Sequence, residues 1–210
     1  MRVAYFAESP ADQAALTIFT EAILGHATTP ISHSGLVHRG WPSVRTVLPA
    51  VLKELHYHSD AEGFVLVVDS NGSTPHEPTH DLVNARESKC RLCQLRLMAT
   101  ETLRQVRPRS SQPALKIALG LAVPAIEAWL LCGVNTQVSE ATWINGRNQN
   151  QSPYSTSGLK EQLYGTSHPS LAMAAETMKR EAARVSQKLS TIEKVFPQGF
   201  GSLAADIRSW

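Results

Sequence analysis

The stretch that most constrains this chain is GFVLVVD, Gly63–Asp69. Five apolar residues, three of them β-branched valines, run without a polar interruption and end on an acid. A run this short and continuous reads as a strand buried on both faces, the kind a parallel sheet uses. In an open α/β sheet, ligands meet the loops at the carboxyl ends of the strands, which puts Asp69 on the working edge. The DSNG turn that follows is also what an ordinary strand exit uses, because Asp, Ser, Asn and Gly all favour turns. Both readings of Asp69 stand at this point.

A second run, RVAYFA at Arg2–Ala7, ends on Glu8. Two parallel strands that each end on a carboxylate would bring Glu8 and Asp69 to one edge. Ser9 as N-cap and Pro10 at the first helical position open a helix expected over Pro10–Leu24, with Ala15, Ile18, Phe19 and Ala22 on one face. Asp12 falls in its first turn, where the helix dipole favours an anion. Thr28–Val37 is weakly patterned, with an edge strand expected over Ile31–Val37. Trp41–His58 reads as a helix that Pro49 should kink or divide. ALKIALGLAV, Ala114–Val123, is the next strand, and Pro124 opens a helix over AIEAWLL. There Glu127 interrupts an apolar run. Burying a lone carboxylate is costly, so Glu127 needs a partner, a metal or the sheet edge, unless the helix dipole alone accounts for it.

Composition supports a real core: 42% of the 210 residues are hydrophobic and 18% charged. The formal charge is only +2, but Arg86–Arg109 carries +5, so the remainder is −3. Arg86, Lys89, Arg91 and Arg96 are therefore the candidate phosphate contacts, with a solvated helix face as the plain alternative. Three cysteines and no secretory leader point to a reducing cytoplasm, and no apolar run is long enough to span a membrane.

His76 and His80 lie just past Asp69 and, with Cys90 and Cys93, raise the question of zinc. A long helix is expected over Thr79–Val106, however. It would place the C-x-x-C inside a helix, where structural zinc sites usually put it on a turn. Buried free thiols are the expectation here. Beyond Asn135 the composition turns to Asn, Gln, Ser and Thr, and Thr136–Ser157 reads as a long loop. Helices return at Gly158–Tyr164 and Ser170–Leu189, followed by a turn at Pro197–Gly201 and a short closing helix. The division expected is an α/β domain over 1–135 and a polar loop with a helical extension over 136–210, packed on it.

The sequence holds no Walker loop, G-x-G-x-x-G or G-x-S-x-G, and the Asp69 loop lacks the glycine and glutamate positions of an EF-hand. Glu8 after the first strand and Asp69-Ser70-Asn71 after a later one resemble the Toprim fold of topoisomerases, primases and OLD-type nucleases. That fold places a Glu on its first motif and Asp-x-Asp on its second. AVPAIEAWLL at Ala122–Leu131 and FPQGFGSLAADIRSW at Phe196–Trp210 resemble the small standalone bacterial Toprim-like proteins of the DUF4276 group.

The resemblance implies a Toprim-like, Rossmann-like, mostly parallel sheet flanked by helices, with a helical C-terminal extension. It also implies a metal-dependent nuclease in a phage-defence or mobile-element system, beside an ATPase partner. Glu8 and Asp69 would be catalytic, and Glu8, Asp69, Asn71 and Glu127 would hold Mg²⁺ or Mn²⁺. Such ions take carboxylate oxygens and activate water in phosphodiester cleavage. Asn71 departs from the family's second Asp and weakens the expected site. The alternatives are a binding or regulatory subunit that keeps the scaffold without catalysis, and a nucleotide-binding α/β protein.

Overall fold

The structure, a computed structural model, describes residues 1–7, 9–31, 40–82, 87–109 and 113–210. Its strands are β1 (Arg2–Phe6), β2 (Thr29–Ile31), β3 (Gly63–Asp69) and β4 (Lys116–Ala122). All pair in parallel, in the order β2-β1-β3-β4. The crossover helices are α1 (Pro10–Leu24), α2 (Gly40–His58) and α3 (Arg91–Arg104). After β4 come α4 (Ile126–Leu130), α5 (Glu140–Asn148), α6 (Thr156–Tyr164), α7 (Leu171–Ser186), α8 (Leu189–Val195) and α9 (Ser202–Arg208). The result is an α/β, Rossmann-like architecture, a parallel sheet with helices on both faces.

Strand alternation divides the core in two. On β3, Phe64, Leu66 and Val68 face α2 and α3, while Val65 and Val67 face α1 and the C-terminal helices. On β1, Ala4 and Phe6 take the first face and Val3 and Tyr5 the second. Burial on both faces is why these runs are continuously apolar. Helix α1 begins as its sequence requires: the Ser9 hydroxyl accepts the Asp12 N–H at 3.1 Å and Pro10 occupies the first turn. Gly25, at φ 74°, closes it in the left-handed conformation that glycine adopts without strain.

Four expectations change. Helix α2 runs unbroken through Pro49. The proline removes one hydrogen bond, and the buried row Val44, Leu48, Val51, Leu52 and Leu55 holds the helix on the sheet. The helix expected from Thr79 begins only at Arg91, after a separate 3₁₀ turn at Pro78–Asp81. The polar stretch contains α5, capped by the Ser139 hydroxyl on the Thr142 N–H at 3.0 Å. Strand β2 covers only Thr29–Ile31, and the rest of the expected edge strand lies outside the described residues.

The tail packs along β4. Asp206 Oδ2 accepts the main-chain N–H of Leu119 at 3.2 Å, and the Lys116 ammonium donates to the Trp210 carbonyl oxygen. Gly199 sits so close to the Leu121 carbonyl that a Cβ there would lie 2.4 Å from its oxygen. Trp129 of the AIEAWLL segment meets Phe200 of the tail edge-to-face at 5.3 Å, and Phe19 of α1 meets Phe200 at 5.1 Å. The two stretches that carry the family resemblance thus meet in one aromatic cluster.

Candidate functional site

The order β2-β1-β3-β4 reverses direction between β1 and β3, and a crevice outside the strand ends opens at such a switch point. Asp69 ends β3 there. The ladder continues past it, with Ser70 N–H donating to the Ala122 carbonyl at 2.7 Å and Asn71 N–H to the Pro124 carbonyl at 3.0 Å. Asp69 has a second task. Its Oδ1 accepts the Ile126 N–H at 3.1 Å, capping α4, whose own N-cap residue, Ala125, has no side chain able to do so. Asn71 is exposed and sits at φ 46°, a left-handed turn position that asparagine tolerates. Glu8 lies outside the described residues.

Glu127 stands in the first turn of α4 and is 6% exposed. Lys160 of α6 approaches its Oε1 at 4.0 Å, and the Tyr164 hydroxyl donates a hydrogen bond to it. Burial, followed by the charges of Glu127, Asp12 and Asp69, pushes the Tyr164 phenol up from its ordinary pKa. Four elements therefore bring Asp12, Asp69 and Glu127 around one tyrosine. Asp12, Tyr164 and Lys160 had no functional reading in the sequence; the last two lie far along the chain, in a helix that was expected but given no role.

An open groove adjoins this edge, lined by Trp41, Ser73, Thr74, Lys89, Arg91 and Arg147 among others. The Arg91 guanidinium lies over the Trp41 ring, 5.2 Å from its centre, and also donates to the Asp69 main-chain carbonyl. Of the four expected phosphate contacts, Lys89 and Arg91 line this groove. Arg96 instead pairs with Asp81 at 2.6 Å, and Arg86 lies outside the described residues. Arg109, from the same basic stretch, donates to carbonyls at the end of α2. Arg147 of α5 joins the groove from the polar stretch, where nothing in the local pattern marked it.

The histidines and cysteines form a separate cluster. Cys90 is the N-cap of α3 and Cys93 lies in its first turn, so the C-x-x-C straddles a helix start and does not lie inside a helix. The objection to a metal reading falls with the shortened helix. Ligand atoms of His76, His80, Cys90 and Cys93 all lie within 4.8 Å of one another, so the cluster can hold a metal ion. Its nitrogen and sulfur donors are softer than those expected for Mg²⁺ or Mn²⁺. Burial pushes the Cys90 thiol up to about 12, and burial also lowers the His76 pKa. All three cysteines are buried and free.

No family model matches the chain, and neither does any curated protein or solved structure at a significant level. Among the described residues, no helix is long and apolar enough to cross a membrane.

Proposed function

We propose that the chain is a Toprim-type, metal-dependent nucleic-acid-processing protein whose reaction centre is the carboxylate edge of Asp69 and Glu127, with Glu8 assigned to it by the motif resemblance alone. The observation that carries this reading is Arg91, which lines the cationic groove and also touches the Asp69 main chain. A phosphate backbone held by Lys89, Arg91 and Arg147 would be delivered to the end of β3. Trp41 offers an aromatic face on which a base can stack.

Carboxylate oxygens suit a hard divalent ion, and the charges of Glu127, Asp12 and Asp69 all bear on Tyr164 at this edge. Glu8, Asp69 and Glu127 would hold Mg²⁺ or Mn²⁺, which when bound supplies Lewis-acid activation of water and of the leaving oxygen. Lys160 and Tyr164 fix the Glu127 carboxylate, and the Ile126 N–H fixes one oxygen of Asp69.

A second reading has its own support. Asp69 serves as a helix cap, Glu127 has a lysine beside it, and Asn71 serves a turn. These are the uses a scaffold would keep after losing catalysis, leaving the groove to bind nucleic acid or an acidic surface of an ATPase partner. The test is cleavage of single- and double-stranded DNA and RNA with Mg²⁺ or Mn²⁺. The expected outcome is ion-dependent cleavage that Asp69→Asn abolishes while binding survives. Salt-sensitive binding without cleavage under any ion would select the scaffold.

A further inference from the structure

We propose that His76, His80, Cys90 and Cys93 bind one Zn²⁺ in a closed structural site that pins the segment after β3 to the start of α3. This site is chemically and spatially distinct from the carboxylate edge, and it stands whether or not that edge is catalytic.

The geometry argues first. With zinc–sulfur bonds of about 2.3 Å and zinc–nitrogen bonds of about 2.0 Å, neighbouring ligand atoms on a tetrahedron lie about 3.3–3.8 Å apart. His76 Nδ1 lies 3.5 Å from the Cys90 sulfur and 3.6 Å from the Cys93 sulfur. Those are tetrahedral edge lengths. The fourth corner comes from the same short segment as His76, with the His80 ring centre 5.3 Å from that of His76.

The surroundings argue next. A metal-bound histidine usually gives its second ring nitrogen to a carboxylate or carbonyl, which sets the tautomer. His76 Nε2 lies 3.2 Å from Asp81 Oδ2, and Arg96 holds the other Asp81 oxygen at 2.6 Å. A proton on Nε2 leaves the Nδ1 lone pair facing both thiols. For His80, ligation through Nε2 needs the proton on Nδ1, so the long 3.4 Å contact in which Nδ1 accepts the Glu77 N–H must give way when the metal binds. The Asp81 contact also explains why Arg96 departs from the phosphate groove.

The chemistry argues last. Two thiolates and two neutral imidazoles neutralise Zn²⁺, with one proton released to solvent from each thiol and four bonds formed to the metal. Four protein donors fill a tetrahedral sphere and leave no corner for substrate; His76 and Cys90 are wholly buried, Cys93 is 6% exposed and His80 is half-buried. That pattern is structural. Lys89 precedes one ligand and Arg91 follows it, so the metal fixes the segment that carries two of the groove's cations.

Metal analysis of the purified, reduced protein tests this without any substrate, so its failure would leave the nuclease reading untouched. The expected result is about one zinc per chain. Cys93→Ser and His80→Ala should lower that content at least tenfold, while Cys132→Ser should leave it unchanged. Because these variants can misfold, the intact chain should also be stripped with a chelator and titrated with Co²⁺. A thiolate-to-cobalt charge-transfer band saturating at one equivalent supports the site. The proposal is overturned by zinc-free protein that gives no such band, by a Cys90–Cys93 disulfide under reducing conditions, or by full zinc content in both ligand variants.

Discussion

The carboxylate edge and the histidine–cysteine cluster are built in opposite ways. The first draws Asp12, Asp69, Glu127 and Tyr164 from four elements spread over most of the chain. The second comes entirely from His76–Cys93. At the edge, side chains share their work with the fold: Asp69 caps α4 and Glu127 pairs with Lys160. In the cluster, the sulfur and imidazole atoms mostly face one another, and the polar contacts from outside serve to orient them. A site assembled by topology can keep its residues for structural reasons alone, whereas a compact set of soft donors is assembled by one short segment and can hold a metal by itself.

The largest effect separates the two by chelation. Removing a tightly held zinc should destabilise the protein by about 4 kcal/mol, the figure for a ligand at a thousand times its Kd. Chelating Mg²⁺ should barely move the melting curve. Thermal melts with a zinc-selective chelator, and separately without magnesium, would show this. Equal shifts would erase the distinction.

A third carboxylate sharpens the contrast. Glu140 is buried, accepts the Gln198 N–H at 2.8 Å on Oε2, and has no partner for Oε1 among the described residues. Burial raises its pKa to about 7. The folded state therefore binds its proton more tightly than the unfolded chain does. That stability is fully present below the ordinary carboxylate pKa and is lost as pH rises through about 7. The loss approaches about 3 kcal/mol at alkaline pH. Denaturant melts from pH 5 to 8.5 should show the decline, and Glu140→Gln should flatten it. Glu127, with a lysine and a tyrosine beside it, shows how another buried carboxylate is kept differently.

Smaller effects divide structure from chemistry at Asp69. Asp69→Ala strands the Ile126 N–H and should cost about 1–2 kcal/mol, measured by urea unfolding. Asp69→Asn keeps an acceptor there and should unfold nearly as the parent does, so any activity it loses belongs to the charge. The smallest effect is on the groove. Lys89→Ala with Arg147→Ala should reduce the slope of log affinity against log salt by about 2 for duplex DNA, while leaving the melting temperature in place.

Much of the scaffold was legible because burial on both faces writes itself as an unbroken apolar run. GFVLVVD and RVAYFA, together with the Ser9-Pro10 helix start, are local signals, and the structure keeps them within a residue or two. The helix start at Arg91 was harder. Nothing in the sequence between Thr79 and Cys90 breaks the helical pattern strongly, yet a separate 3₁₀ turn occupies Pro78–Asp81 and Cys90 caps the helix. The same misjudged boundary is why the zinc reading of His76, His80, Cys90 and Cys93 was set aside in the sequence, although the four together can hold a metal ion. Tyr164, Lys160 and Arg147 could not be read at all, since only the packing of α6 on α4 and α7 and of α5 on the Pro197–Gly201 segment gives them neighbours. Helix α5 was missed because its polar composition leaves a short apolar signal, Trp143 being its one large buried hydrophobic residue.

The tail's grip on β4 has a consequence for assembly. A strand at the margin of a sheet is a template on which another chain can add a strand, and such addition is how soluble proteins start to fibrillate. Here Asp206 occupies the Leu119 N–H, and Gly199 and Lys116 hold the tail against the remainder of that margin. At the opposite margin β2 is three residues long and carries Pro30, which has no N–H to offer. Both growth fronts of the sheet are blunted. Among the described residues, the surfaces this leaves for docking are helices and loops, and shortening the tail would expose the β4 margin to cross-β growth.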